Sequence, residues 1–267
     1  MLTHGHLTHI DAPANIFKIA QISDLHLSDE SSFNRFLSVL TLALKESPDL
    51  LLLTGDLVND GNRQGYDRLY KTLIFTKIPF LCLAGNHDVT AEIGHHLPFD
   101  ERTFLPIRLD DRLPDRQRLT IKMANITWQI LAINTAISGQ IGGYVSRENL
   151  EFLNKHLTCN QPTIIAMHHH PQPVGSAWID EYMLQNHDEF WQTLSCFDNI
   201  KAVICGHVHQ AHRIDTHNTS LYTCPASSRQ FLAYHDDFTI DDTPPGFRLI
   251  HICNKKTLAT WVKRLQN

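Results

Sequence analysis

Five short apolar runs in this sequence each end in residues that commonly bind metal ions. Each run has the length of a buried β-strand, and polar residues at the end of such a strand usually lie at the mouth of a sheet, where ligands bind. A single run of this kind would be equally consistent with an ordinary turn, but five of them predict one shared site. The runs are Ile19–Ser23 before Asp24 and His26, Leu50–Thr54 before Gly55 and Asp56, Leu81–Ala84 before Gly85, Asn86, His87 and Asp88, Thr163–Met167 before His168, His169 and His170, and Ala202–Cys205 before Gly206, His207 and His209.

Helical patterns between these strands predict an α/β fold. Apolar residues recur at helical spacing after Ser32, between about Gln64 and Thr76, after Ser146 and around Phe190. Ser146 is a suitable N-cap for the third helix. Strands alternating with helices favour parallel pairing through right-handed crossovers. We therefore expect a four-layer αββα sandwich, in which two mixed β-sheets pack face to face and helices cover both outer sides.

The rest of the chain is assigned less specifically. Residues 1–15 are polar, lack the features of a secretory signal and are expected to form a flexible leader, and residues 16–267 are expected to form a single domain. Thr90–Arg118 is rich in charge and proline and predicts a long surface excursion. The hairpin Leu119–Met123 with Thr127–Ile133 follows it. The second sheet is expected to be built from the later strands, which are Ala211–Asp215, Ser220–Cys224, Phe247–Cys253 and Thr257–Lys263.

Composition and charge exclude several classes of partner. The chain of 267 residues is 42% hydrophobic and 19% charged, so a substantial core is expected. Its net charge of −5 and its lack of a basic stripe argue against binding to nucleic acid or to an anionic membrane. No apolar run approaches the roughly 18 residues that a membrane span requires. The six cysteines form no CxxC pair, so we expect a reduced, cytoplasmic protein.

Seven of the residues at the strand ends form a plausible ligand set for two metal ions. Two carboxylates, one amide and four imidazoles suit manganese, iron and zinc better than magnesium or calcium. Seven ligands exceed the needs of one tetrahedral ion, and Asp56 is the best candidate to bridge two ions because its strand lies between the others in sequence. A pair of ions can clamp a phosphoryl group and activate water at neutral pH. The set is Asp24, His26, Asp56, Asn86, His168, His207 and His209.

Together these motifs resemble those of the calcineurin-like metallophosphoesterases. Asp24-x-His26, Gly55-Asp56, Gly85-Asn86-His87-Asp88, His168 and Gly206-His207-x-His209 occur in the family's order and span most of the chain. The resemblance implies the metallophosphoesterase fold, a first ion on Asp24, His26 and His209, a second on Asn86, His168 and His207, and Asp56 as the bridge. It also implies a metal-bridging hydroxide as nucleophile. Asn86 and His87 are the expected catalytic residues, and His87 would contact the phosphoryl group and donate a proton to the leaving oxygen.

The neighbours of these motifs leave alternatives open. Asp88 would either orient His87 or cap the following turn. Three adjacent histidines cannot all face one ion, so His169 is expected either behind the metal ligands or beside the substrate and His170 in solvent, with a solvated loop as the alternative for both. The expected substrate-binding residues are His26, Asn86, His87, His169 and His209.

The substrate class is inferred from the neighbourhood of the motifs. Near Asp56, His87 and His168 the sequence contains no arginine except Arg63, which favours a singly charged phosphodiester over a phosphomonoester. The signature Met167-His168-His169-x-Pro171 is similar to a small bacterial branch of the family that contains cyclic nucleotide phosphodiesterases and glycerophosphodiesterases. We expect hydrolysis of 3′,5′-cyclic AMP to 5′-AMP. The alternatives are a broad phosphodiesterase, a metal-binding regulator and, least favoured, a nuclease. Trp178 could stack on a base or pack locally, and a homodimer is left open.

Overall fold

Two β-sheets packed face to face form the centre of the molecule. The structure is a computed structural model that describes residues 7–59, 63–89, 92–93, 103–104, 113–216 and 219–266. The first sheet contains, in spatial order, β16 (Leu258–Arg264), β15 (Gly246–Cys253), β2 (Ile16–Ile22), β3 (Leu50–Thr54) and β4 (Phe80–Leu83). The second contains β1 (His9–Asp11), β7 (Arg116–Lys122), β8 (Thr127–Ile133), β9 (Thr163–Ala166), β10 (Ile200–Cys205), β12 (Ser220–Thr223) and β11 (Arg213–Asp215).

Helices cover the outer face of each sheet and complete the predicted four layers. The helices α1 (Glu30–Leu44) and α2 (Arg63–Phe75) pack on the first sheet, whereas α3 (Arg147–Leu157) and α5 (His187–Leu194) pack on the second. The apolar side of α2 is the predicted one, with Tyr66, Leu69, Tyr70 and Leu73 buried. Ser146 caps α3 as predicted, and its Oγ accepts a hydrogen bond of 3.2 Å from the amide of Asn149.

Alternating side chains within single strands explain how one strand serves two layers. In β3, Leu50 and Leu52 point into the layer between the sheets, and Leu51 and Leu53 point toward α1 and α2. All five residues of this strand are buried, which is the pattern of a strand covered on both faces. The strands β2, β3 and β4 pair in parallel, as do β8, β9 and β10. Because parallel strands point the same way, their carboxyl ends meet at the same edge of each sheet.

The prediction that the later strands build the second sheet is wrong for the last two. Strand β15 pairs antiparallel with β2, and β16 pairs with β15, so both belong to the first sheet. The physical reason is that β2 would otherwise leave an unpaired edge, and the nearly continuous buried face of β15 covers it.

Several other elements differ from the sequence prediction. Residues 9–11 of the predicted leader form β1, which pairs in parallel with β7, so the sheet begins before Ile16. Most of the predicted excursion lies outside the described residues, but β7 begins within it, and the short pair β5 (Glu92–Ile93) and β6 (Thr103–Phe104) also falls there. Two further elements were not predicted, because they are too short to show periodicity. They are α4 (Ala177–Asp180) and the hairpin formed by β13 (Gln230–Phe231) and β14 (Ile240–Asp241).

Candidate metal centre

Glycines allow the five strand ends to approach one another closely. A side chain at Gly55 would overlap the ring of His168, one at Gly85 would overlap Asp56, and one at Gly206 would overlap the hydroxyl of Ser23. Gly55 also has a φ of +96°, which side-chain-bearing residues rarely adopt. The glycines of the motifs are therefore needed so that side chains from different strands can converge.

Five of the seven predicted ligands have a left-handed backbone conformation. The left-handed conformation is costly for residues other than glycine, and residues that adopt it are concentrated at functional sites. It turns each ligand away from the line of its strand and toward the same cleft. The φ values are 54° for Asp24, 49° for His26, 50° for Asp56, 70° for His207 and 52° for His209.

Asp56 lies between two groups of ligands. Its Oδ2 is 3.5 Å from Nε2 of His26 on one side and 3.4 Å from Nε2 of His168 on the other. Its second oxygen, Oδ1, accepts a hydrogen bond of 2.9 Å from the amide of His87. One carboxylate oxygen is thus placed to contact two ions, while the other holds the Asn86–Asp88 turn.

The first group consists of Asp24, His26, Asp56 and His209, whose ligand atoms lie within 4.8 Å of one another. His209 Nδ1 lies 2.7 Å from the carbonyl oxygen of Arg229, and His26 Nδ1 lies 2.9 Å from Asn59 Oδ1. Both contacts place the ring proton on Nδ1 and leave a lone pair on Nε2. The two Nε2 atoms are only 3.0 Å apart. Two lone pairs facing each other repel, and a cation against both of them would remove that repulsion.

The second group consists of Asn86, His168 and His207. His168 Nδ1 lies 2.8 Å from the carbonyl of Thr54, which holds a proton on Nδ1 and leaves Nε2 as the atom available to a metal ion, and this Nε2 is 3.2 Å from Oδ1 of Asn86. The His207 ring lies 5.1 Å from that of His168, and its Nε2 is buried without a hydrogen-bond partner. An unpaired buried nitrogen is costly, so the donor set of this group also fits a cation. The structure therefore brings all seven predicted ligands together in two groups that share Asp56.

The charges of the metal-free site are balanced by protons. Burial and the neighbouring Asp56 charge raise the pKa of Asp24 to about 7, although the charge of His168 lowers it. Burial would lower the pKa of His168, but Asp56 and Asp24 outweigh it and raise that pKa to about 9. Despite its burial, Asp56 has a pKa well below its ordinary value, because His168, His87 and His26 surround it. Asp24 and His168 are thus the groups whose protons a bound metal ion would displace.

His169 is not arranged like the other ligands. Its ring nitrogens are both occupied, since Nδ1 lies 2.7 Å from the hydroxyl of Thr135 and Nε2 lies 3.0 Å from the carbonyl of Ile141. It is close enough to His168 and His207 to fall within their group, but with both nitrogens engaged it has no lone pair left for an ion. The prediction that it contacts substrate therefore gains no support from this geometry.

The prediction that His170 is exposed is wrong. It is fully buried, and its Nε2 lies 3.2 Å from Oδ1 of Asp180. Asp180 also accepts hydrogen bonds from three successive amides, those of Val174, Gly175 and Ser176. The partner of His170 comes from α4, which has no sequence signal of its own.

Asp88 joins the two loops that carry Asp56 and Asn86. Its carboxylate accepts hydrogen bonds from the amides of Leu57, Val58 and Gly85 and, at 2.5 Å, from the hydroxyl of Tyr66. Burial and the Asp56 charge raise the pKa of Asp88 to about 6, and these donors oppose the rise. The structure therefore gives Asp88 a wider role than either predicted alternative.

Sequence reasoning missed the segment around Phe231. The Phe231 ring stacks on the His209 ring with centroids 4.0 Å apart and an angle of 7°. Trp178 packs against Phe231 and Phe238, with 5.1 Å between ring centroids in each pair, so its local packing alternative is the one realised. The backbone carbonyl of Arg229, a residue outside every motif, also contacts His209.

Comparisons with known proteins agree with this geometry. The profile of the calcineurin-like phosphoesterase family matches residues 17–211, and the chain belongs to this family of metal-dependent hydrolases. A probable cyclic nucleotide phosphodiesterase from Moraxella catarrhalis is 46% identical over 259 residues, which cover 94% of this chain and 93% of the relative. A 3′,5′-cyclic adenosine monophosphate phosphodiesterase from Vibrio vulnificus is 32% identical, covering 94% and 91% of the two chains.

A solved structure shares the fold at much lower identity. A dimetal phosphatase from Danio rerio superposes with a TM-score of 0.63 at 13% identity, covering 91% of this chain and 98% of that one. Among the described residues, no helix is long and apolar enough to cross a membrane.

Proposed function

We propose that this protein hydrolyses 3′,5′-cyclic AMP to 5′-AMP with two bound metal ions. The observation that carries the proposal is the position of Asp56, whose Oδ2 lies within 3.5 Å of ligand nitrogens in both groups. One ion would be held by Asp24, His26 and His209 together with Asp56. The other would be held by Asn86, His168 and His207 together with Asp56. Imidazole and carboxylate ligands favour manganese, iron or zinc.

The ions would supply Lewis-acid activation of water and of the phosphoryl oxygens. The residues of the chain supply position and protons. The water oxygen forms a bond to phosphorus, the bond from phosphorus to the 3′-oxygen breaks, and that oxygen leaves with a proton. The ring of His87 is half-buried, and its edge packs on His26 with centroids 4.7 Å apart. It is our candidate for the proton donor, and Asn86 would hold a phosphoryl oxygen in addition to its metal.

The names of the relatives support the substrate. The Moraxella and Vibrio proteins are both named as cyclic nucleotide phosphodiesterases, and each aligns with more than nine-tenths of this chain. The two ions would also supply the positive charge that an anionic phosphodiester requires.

The test is a comparison of kcat/KM for three phosphodiesters. Metal-stripped protein is reloaded with Mn²⁺ and assayed with 3′,5′-cyclic AMP, 2′,3′-cyclic AMP and glycerophosphoethanolamine. We expect 3′,5′-cyclic AMP to be the best substrate. Similar constants for all three, or a preference for the linear diester, would favour the broad phosphodiesterase, and no turnover of any of them would favour a metal-binding regulator.

A pair of variants links turnover to the proposed centre. Asp56→Asn should abolish turnover of every substrate, because it removes the shared ligand charge. Asp188→Asn is the matched control, since the side chain of Asp188 is 98% exposed. Among the described residues, it makes no hydrogen bond or ion pair with a predicted ligand. Wild-type turnover by Asp56→Asn would contradict the assignment of the site.

A further inference from the structure

The segment that joins β13 to β14 exposes an unusual amount of apolar surface. Leu232 is 38% exposed, Tyr234 is 76% exposed, Phe238 is 57% exposed and Ile240 is 46% exposed. Single exposed apolar residues are common on proteins, but several of them on one short segment indicate a contact surface. The family profile ends at residue 211, before this segment, so its role is not fixed by membership of the family.

Hydrogen bonds fix the start of this segment to the first ligand group. The amide of Ser227 donates to the carbonyl of Ser23 at 2.9 Å, and the amide of Ser228 donates to that of Asp24 at 3.2 Å. The next residue, Arg229, supplies the carbonyl that orients His209. The chain that carries Phe231 is therefore tied to two of the predicted ligands.

The far end of the segment is also held in place. The amide of Leu232 donates to the carbonyl of Thr239 at 2.8 Å, and the amide of Trp178 donates to the carbonyl of Asp236 at 3.2 Å. The apolar surface is thus part of a closed hairpin with contacts at both ends.

Three aromatic rings in this region form a triangle. The Phe231 and Phe238 centroids are 5.1 Å apart, as are those of Trp178 with each of the two. Phe231 lies against His209, Trp178 is half-buried, and Phe238 keeps more than half of its surface exposed. Two successive ring contacts, of 4.0 Å and 5.1 Å, separate Phe238 from a predicted metal ligand.

We propose that the exposed ring of Phe238, supported by Phe231 and Trp178, is the surface on which the nucleobase of the substrate stacks. The inference rests on the proposed function, because it places the cyclic phosphate at the metal centre. A single ribose joins the phosphate of a cyclic nucleotide to its base, so the base must lie beside the ligands rather than far from them. A flat apolar ring next to a polar phosphate site suits that pair of groups.

The opposite rim of the site offers a weaker alternative. Ile141 is 46% exposed and Tyr144 is 43% exposed. These residues approach the ligands through His169, whose Nε2 contacts the Ile141 carbonyl and whose ring would meet any side chain at Gly143. Phe238 is favoured because its cluster contacts the ring of a predicted ligand directly.

The test compares Phe238→Ala with Phe238→Tyr, Tyr144→Ala and Phe75→Ala. Phe75 is the matched control, since it is 88% exposed at the end of α2. Replacing an aromatic side chain that stacks on a base with alanine weakens binding by about tenfold or more. Phe238→Ala should therefore raise KM for 3′,5′-cyclic AMP by about that factor. The kcat/KM for glycerophosphoethanolamine, which has no base, should be unchanged. Phe238→Tyr keeps a ring and should behave as wild type, as should Phe75→Ala.

Several results would overturn the inference. An unchanged KM for Phe238→Ala, or a raised KM for Tyr144→Ala alone, would place the base elsewhere. Equal losses on both substrates would mean that Phe238 supports the fold or the metals. A change in oligomeric state on size-exclusion chromatography, with unchanged kinetics, would make the surface a subunit contact. If wild-type protein hydrolyses the linear diester but not the cyclic nucleotide, the proposed substrate fails first, and the inference fails with it.

Discussion

The hydrogen bonds of Asp88 predict a large effect from a small change. In Asp88→Asn one carboxylate oxygen becomes an amide group, which cannot accept from the buried amides. If the amide oxygen of the asparagine takes the place of Oδ1, its NH₂ group takes the place of Oδ2. The hydrogen bond of 2.9 Å from the Gly85 amide to Oδ2 is then lost, and the Gly85 N–H faces another donor. A hydrogen bond to a charged group contributes about 1.5–3 kcal/mol, and an unpaired buried donor adds a cost of similar size. We expect Asp88→Asn to lower the free energy of unfolding by about 3 kcal/mol.

A second consequence concerns the metals. Asp88 connects the loop of Asp56 to that of Gly85 and Asn86, so loosening it should misplace ligands in both groups. Changes to groups that orient metal ligands commonly cost about 10–100-fold in metal affinity. Tyr66→Phe is the matched control, because it removes the hydroxyl that donates to Asp88 and leaves the three amide donors. It should cost about 1.5 kcal/mol of stability and leave metal affinity nearly unchanged.

The assay is urea denaturation of the metal-free protein together with chelator competition for Mn²⁺. Asp88→Asn should differ from Tyr66→Phe in both measurements. The reasoning is refuted if Asp88→Asn unfolds within about 0.5 kcal/mol of wild type, or if both variants bind Mn²⁺ equally well.

Three further predictions follow from the site. Asp56→Ala should lose all turnover while its circular dichroism stays native, and a lost spectrum would assign it a folding role instead. Gly206→Ala should destabilise the fold by about 1–3 kcal/mol, because its methyl group overlaps Ser23; a neutral effect would show that the strand ends can separate. The pKa of Asp24 is raised to about 7 and that of His168 to about 9. At a pH below the ordinary pKa of each group, its bound proton stabilises the folded state, and this stabilisation is lost as the pH rises through the raised pKa. The Tm of metal-free protein should therefore fall between pH 7 and 9, above the range in which the histidines of lowered pKa oppose the change, and a constant Tm across that range would contradict the shift of His168.

The convergence of the seven predicted ligands could be anticipated from the sequence because each of them follows closely after the end of a strand. The parallel order of β2, β3 and β4 depends only on apolar runs and intervening helices, and both are visible in the chain. The positions of His169 and His170 depend instead on contacts with other segments. Thr135 and Ile141, which contact His169, are remote in sequence, and Asp180, which contacts His170, lies on a helix of four residues. No local pattern reports such contacts.

The placement of β15 and of Phe231 illustrates the same limit. Strand β15 reads as a strand in sequence, but its partner is decided by which edge remains open once the other strands have paired. Phe231 begins the short apolar run Phe231–Tyr234, and only the fold shows that its ring stacks on His209. Sequence patterns specify which residues form elements and strand ends, whereas pairing across distant segments requires the structure.

Metal binding should stabilise this protein strongly, because the metal-free site combines several unfavourable features. Left-handed residues, facing Nε2 atoms and the unpaired Nε2 of His207 all occur at one place. An ion present at 100 times its Kd stabilises a folded protein by about 2.7 kcal/mol. For a chain of this size each kcal/mol raises Tm by about 2–4 °C, so two ions should raise it by about 10 °C or more. Mn²⁺ should act more strongly than Mg²⁺, which prefers oxygen ligands. His207→Ala should lose about half of the Mn²⁺ effect, and a full wild-type shift in that variant would show that the ions bind elsewhere.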